Sequence, residues 1–215
     1  MKKLLSPDSK LYEWLSTATE FLLLNLLFLV CCIPVFTIGA AEAGMFKAVR
    51  LQADKERDDS VYRAFFRGFT EGFSRITAVW LLLLVLITIP VLTIANLRGS
   101  AFGTAPLVMA VIALVFFLLL QPVTSAFHSL FECSSAELLR NSTMLMLMYP
   151  LRCALLTLLL YAPAALMLLD RDFFVLVAPI FLFIYETFAF RTGSRLLKKP
   201  FSMLEERAAK DQGGK

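Results

Sequence analysis

Residues 76–97 read ITAVWLLLLVLITIPVLTIANL, 22 positions without a charge, bounded by Arg75 and Arg98. A hydrocarbon core about 30 Å thick takes about 20 apolar residues at about 1.5 Å of rise each, so this stretch predicts a helix that crosses a bilayer. Four further apolar runs are candidates, at residues 21–41, 105–127, 153–169 and 173–190, of which 153–169 is short and 173–190 carries Glu186. The run at 153–169 extends back through 144–149 if Arg152 snorkels or faces protein. Between the last two runs, Asp170-Arg171-Asp172 is so short that the helices it joins are expected to form an antiparallel hairpin.

Composition agrees with those runs. Hydrophobic residues make up 59% of the 215, charged residues 18%, and 20 positions are Phe. Mean hydropathy is +0.74. A soluble domain averages about 45–50% apolar and about 25% charged, so the excess apolar surface calls for lipid. The expected class is all-α: a polytopic transmembrane helix bundle of about five spans over residues 1–197, then a polar tail over 198–215. A net charge of +4, scattered along the chain, argues against nucleic acid as a partner. Ala41-Glu42-Ala43 resembles a signal-peptide cleavage site, but the apolar run before it exceeds the usual length and its leading segment carries Asp8, Glu13 and Glu20, so the first run is expected to stay.

Lys and Arg between the runs predict orientation. If all five runs cross, one side carries Lys2, Lys3, Lys10, Arg98 and Arg171, and the other carries sixteen, from Lys47 to Lys215. The positive-inside rule then sets the N-terminus outside and the C-terminus in the cytoplasm.

The connection from residue 42 to 75 is not an ordinary loop. After the charge cluster 54–59, in which Asp58 or Asp59 suits a helix N-cap, Val61, Phe65, Phe69, Phe73 and Ile76 recur at helical spacing with cations on the flanks. That predicts an amphipathic cytoplasmic helix whose Phe65, Phe69 and Phe73 face either lipid or a partner protein. Small residues at Gly39, Ala40, Ala43 and Gly44 predict a close helix seam. Asn25 is the deepest amide and is expected to bond across helices. Pro34, Pro90, Pro122, Pro163 and Pro179 predict kinks, with Thr37, Thr88 and Thr124 placed to satisfy freed carbonyls. His128 and Glu132 are spaced to meet on one helix face, and Glu186 to pair with Arg191.

No GxSxG, HExxH, phosphate-binding glycine loop or paired intramembrane carboxylates occur. With one His and four Cys that form no CxxC, no metal or cofactor is expected, and the thiols read as small apolar residues. The chain is therefore not expected to be an enzyme.

Asn25, the run Pro34-Val35-Phe36-Thr37-Ile38-Gly39-Ala40, and the Phe65-Phe66 and Phe69 stretch ahead of the second span resemble the YesL-type family of bacterial integral membrane proteins, a domain of unknown function. The resemblance implies a plasma-membrane protein with an accessory role in carbohydrate uptake by transporters of the ATP-binding cassette type, partnered by a permease or sensor subunit. It supplies no catalytic or ligand-binding residues. The alternative is a small transporter or substrate-capturing subunit with a cavity between kinked helices.

Overall fold

Pro34 decides the path of the N-terminal third. Helix α1 runs over Lys10–Cys32, and Pro34 follows in an extended conformation, φ −77° and ψ 117°. Proline lacks an N–H and crowds the turn before it, so the helix ends there. A single 3-10 turn, Val35–Thr37, leads into α2, Ile38–Ala53. The Thr37 hydroxyl sits 2.5 Å from the Cys31 carbonyl and 2.6 Å from that of Pro34, so it serves the carbonyls released at the break. Thr88 and Thr124 do no such service: each donates to its own helix, at Leu84 and Gln121. This computed structural model describes residues 10–53, 60–97, 104–169, 172–173, 175 and 185–213.

After the break the chain turns back. Gln52 donates to Glu20 at 3.1 Å, and Phe28 and Phe46 both meet the ring of Phe190 edge-on, at 5.3 and 4.8 Å. The end of α2 therefore lies beside the beginning of α1. This corrects the continuous run expected over 21–41, which is two antiparallel helices with a proline between them. The tip of the hairpin is apolar and uncovered, with Ile33 76% exposed and Pro34, Val35 and Phe36 exposed beside it.

Helix α2 is buried on every side from Gly39 to Phe46 because its side chains are small enough to let neighbours in. A Cβ on Gly39 would stand 2.7 Å from Trp80, and one on Gly44 would stand 2.7 Å from the Phe65 carbonyl oxygen. In lipid, where hydrophobic exclusion does not drive helices together, such van der Waals contact supplies the association. Helix α3, Val61–Thr70, lies against α2 through Gly68, whose added Cβ would meet the Gly44 Cα at 2.9 Å. Its N-cap is Ser60, whose side chain does not bond the first-turn amides, while Asp58 and Asp59 lie outside the described residues. Gly72, at φ +62°, makes the corner into α4, Phe73–Leu97.

Helix α5, Ala105–His128, returns antiparallel to α4. Helix α6, Ser135–Met148, starts with a capping box in which the Glu137 carboxylate accepts from the Ser134 N–H while Ser134 Oγ accepts from the Glu137 N–H. These bonds hold the Glu137 carboxyl below its ordinary range. Helix α7, Pro150–Leu169, and α8, Glu186–Gly213, are antiparallel: Arg152 donates to the Leu196 carbonyl at 3.5 Å, and Tyr185 to that of Leu159 at 2.8 Å.

Among the described residues, four helices are long and apolar enough to cross a membrane: Leu15–Cys32, Phe73–Asn96, Ala105–His128 and Pro150–Met167. Their outward faces are lined by large apolar side chains such as Leu26, Val85, Ile89, Ile112 and Leu158, as lipid contact requires. Most of the run expected at 173–190, with Pro179, lies outside the described residues; its last residues begin α8.

The α2–α3 contact yields a direct test. Gly44→Val and Gly68→Val each force backbone apart and are expected to destabilise by about 1–3 kcal/mol, lowering the unfolding midpoint in detergent by several degrees. Ala164→Val, on the exposed face of α7, adds volume without a neighbour to displace and is expected to leave the midpoint in place. Circular dichroism during heating reads both.

Candidate binding site

Two polar constellations sit inside the bundle. Glu42 on α2 is 7% exposed, and Gln121 on α5 donates to its carboxylate at 2.7 Å. Tyr161 on α7 in turn donates to the Gln121 side-chain oxygen. One amide thus uses both ends to join three helices, and it sits one residue before Pro122. A carboxylate in apolar surroundings is costly unless donors reach it, so Glu42 depends on Gln121. The second constellation joins the chain's extremes. Asn25 on α1 accepts through Oδ1 from the backbone N–H of Thr187 at 2.7 Å and from the Thr187 hydroxyl at 2.5 Å. The bond ties α1 to α8 where the described residues of α8 begin.

Above Glu42, towards the ends of α2 and α5, lies a cavity of about 560 Å³. Its floor is apolar, with Phe46, Ala126, Leu197 and Phe201 all buried. Its rim carries Arg50 from α2 and Arg195 and Lys198 from α8, and no acidic side chain is among the described residues that line it. Three hydroxyls also line it, but each donates to its own helix: Ser129 to Ala126, Ser194 to Arg191 and Ser202 to Lys199. The rim cations are therefore its strongest donors.

The aromatic stripe expected to meet lipid or a partner is turned inward. Phe65 is 0% exposed and stacks with Phe69 at 6.3 Å, and Phe69 and Phe73 pack onto the core at 5.4 Å from one another. The reason is Gly44 and Gly68, which bring α3 so close to α2 that its apolar face is covered by the chain itself. Phe66 is the aromatic that α3 leaves exposed. Of the residues expected to pack helices, Asn25 bonds α8, Pro34 makes the break, Gly39 receives Trp80, and Ala43 is fully buried where α3 crosses. His128 does not turn to Glu132: α5 ends at His128, and its Nε2 meets the Glu71 carbonyl at 2.9 Å, beside the Lys47–Glu71 ion pair. Arg191 lies over the Phe21 ring, 5.7 Å from its centre.

Sequence reasoning missed the Glu42–Gln121–Tyr161 chain, α6 and the lining of the cavity. Helix α6 had a signal in Ser134-Ser135-Ala136-Glu137, a capping-box spacing ahead of an apolar stretch. Gln121, an uncharged amide inside an apolar run, signals a partner without saying which one.

The hairpin of α1 and α2, the crossing helix α3 and the beginning of α4 form one continuous unit, and a family comparison falls on that unit. Residues 21–94 match the family described as Protein of unknown function, DUF624. The YesL-type resemblance is consistent with that family. The match covers about a third of the chain and ends three residues before α4 does. No curated protein and no solved structure matches the chain.

Substitutions separate the roles in the buried chain. Gln121→Leu removes a donor from Glu42 and is expected to destabilise by about 1.5–3 kcal/mol, the range for a hydrogen bond to a charged group. Glu42→Gln keeps an acceptor oxygen and is expected to lose about 1 kcal/mol. Thermal unfolding of the two variants side by side in detergent checks the order.

Proposed function

We propose that this integral membrane protein is a non-enzymatic accessory or regulatory subunit of the bacterial plasma membrane, with its polar end in the cytoplasm. The supporting observation is the hairpin. Because α2 returns to where α1 began, the start of α1, the end of α2, the start of α4, helix α6 and the end of α8 gather at one end. In the sequence, nineteen of the 21 Lys and Arg lie in those elements or in segments joined to them, leaving Arg98 and Arg171, which follow α4 and α7. Nineteen against two is a stronger bias than sixteen against five, and by the positive-inside rule it favours cytoplasmic N- and C-termini rather than an outside N-terminus.

A non-enzymatic role is supported by what the ionisable side chains already do. Glu42 holds Gln121, Glu71 holds Lys47, Glu137 caps α6 and His128 meets a backbone carbonyl. These are structural duties. The partner is supplied by the family resemblance: a permease or sensor of a carbohydrate uptake system of the ATP-binding cassette type. One observation favours the transport alternative, the cavity between α2, α5 and α8.

Two measurements test the reading. Alkaline phosphatase, active only outside the cytoplasm, is fused in turn to each terminus and after Leu97; activity is expected at the last position alone, and activity at the N-terminus would overturn the shared orientation. Gentle detergent extraction of the tagged protein from its host is expected to recover a sugar-transporter permease. Substrate uptake by the protein reconstituted alone would shift the function to transport.

A further inference from the structure

The rim cations, apolar floor and position of the cavity at the end of the bundle go together, and the geometry points to a binding site for a phosphate-bearing ligand with an apolar portion. Arg50 approaches from α2 and Arg195 and Lys198 from α8, so the cations are held by two helices that belong to different parts of the chain. Arginine presents a planar fork of donors that matches phosphate oxygens, and lysine adds a movable point charge. Beneath them Phe46, Leu197 and Phe201 offer a surface that would not reward a free, fully hydrated ion. A monoanionic phosphate attached to hydrocarbon or to another weakly polar body satisfies both halves. A volume of about 560 Å³ is within the range of small-molecule sites, about 300–1,000 Å³, and is far too small for a folded partner.

The location selects the source. Ala126 and Leu130 line the cavity at the last turn of α5 and just beyond it, where a membrane-crossing helix leaves the apolar layer. Phosphodiester headgroups of the bilayer are concentrated at that level. An anionic phospholipid headgroup is therefore the favoured occupant, and a soluble phosphate compound is the other source of the same chemistry.

The test uses the full-length protein in a non-ionic detergent. Native mass spectrometry measures bound phosphatidylglycerol and phosphatidylcholine, and thermal unfolding by circular dichroism measures protection by inorganic phosphate. Two double variants remove equal charge: Arg195→Gln with Lys198→Gln in the rim, and Arg140→Gln with Lys199→Gln at exposed positions outside it. The expected result is saturable phosphatidylglycerol binding, weakened about tenfold in the rim variant and less than twofold in the other. Protection by millimolar phosphate, abolished only in the rim variant, would support the site while assigning it a soluble ligand. Equal effects of the two double variants, or no binding of either anion, would overturn it. If the rim variant does not fold, Arg50→Gln reads the same rim from α2.

Discussion

Helix α2 can stand at the centre of the molecule because it carries so little. With Gly, Ala, Ala, Ala and Gly at positions 39, 40, 41, 43 and 44, neighbouring backbones come within contact of its own, and α1, α3, α4, α5 and α8 all touch it. The rest depends on that approach. Once α3 lies on Gly44, its phenylalanines have α2 as their surface, Gly72 must turn sharply, and the Glu71 carbonyl arrives beside His128 at the end of α5. A bulkier α2 would hold those elements apart and leave their backbone polar groups and aromatic faces to be satisfied by lipid, which has no donors or acceptors to offer.

The polar groups inside the bundle follow the same logic. Asn25 and Thr187 lie 162 positions apart in sequence, and Glu42 and Gln121 lie 79 apart. Bonds of this kind add little to the attraction between helices, about 1 kcal/mol or less each, but they penalise any other register because a misplaced helix would strand an amide or a carboxylate in an apolar layer. They fix which helix faces which, while the small residues fix how closely.

How much of this was legible in the sequence varies with the range of the interaction that decides it. The runs at 76–97 and 105–127 are set by local composition, and α4 and α5 extend only one to three residues beyond them. The stretch at 21–41 has the same composition, yet its course hinges on Pro34 and on whether anything waits to surround the residues that follow. Periodicity put Phe65, Phe69 and Phe73 on one helix face, but the chain turns at Gly72 and Phe73 opens α4; periodicity describes a face and not its neighbour, and the neighbour came from Gly44, in another helix. Ser134 and Glu137 carried a local signal for α6 that the short polar surroundings hid. The kinks suggested a cavity between helices but not its lining, since Arg50 and Arg195 are brought together only by the hairpin and the return of α8.

The hairpin also bears on how the chain enters its membrane. A helix that crosses must drag its following loop through the apolar layer, and every charge in that loop resists. At the tip of α1 and α2 there is nothing to drag: Ile33, Pro34, Val35 and Phe36 carry no charge, and Gly39 packs on Trp80, seven residues into α4, with 17 more, about 25 Å, still to run to Leu97. In the orientation proposed above, the first third of the protein is laid in from one side during synthesis, and the segments to be translocated reduce to the short ones after Leu97 and Leu169, each with a single arginine.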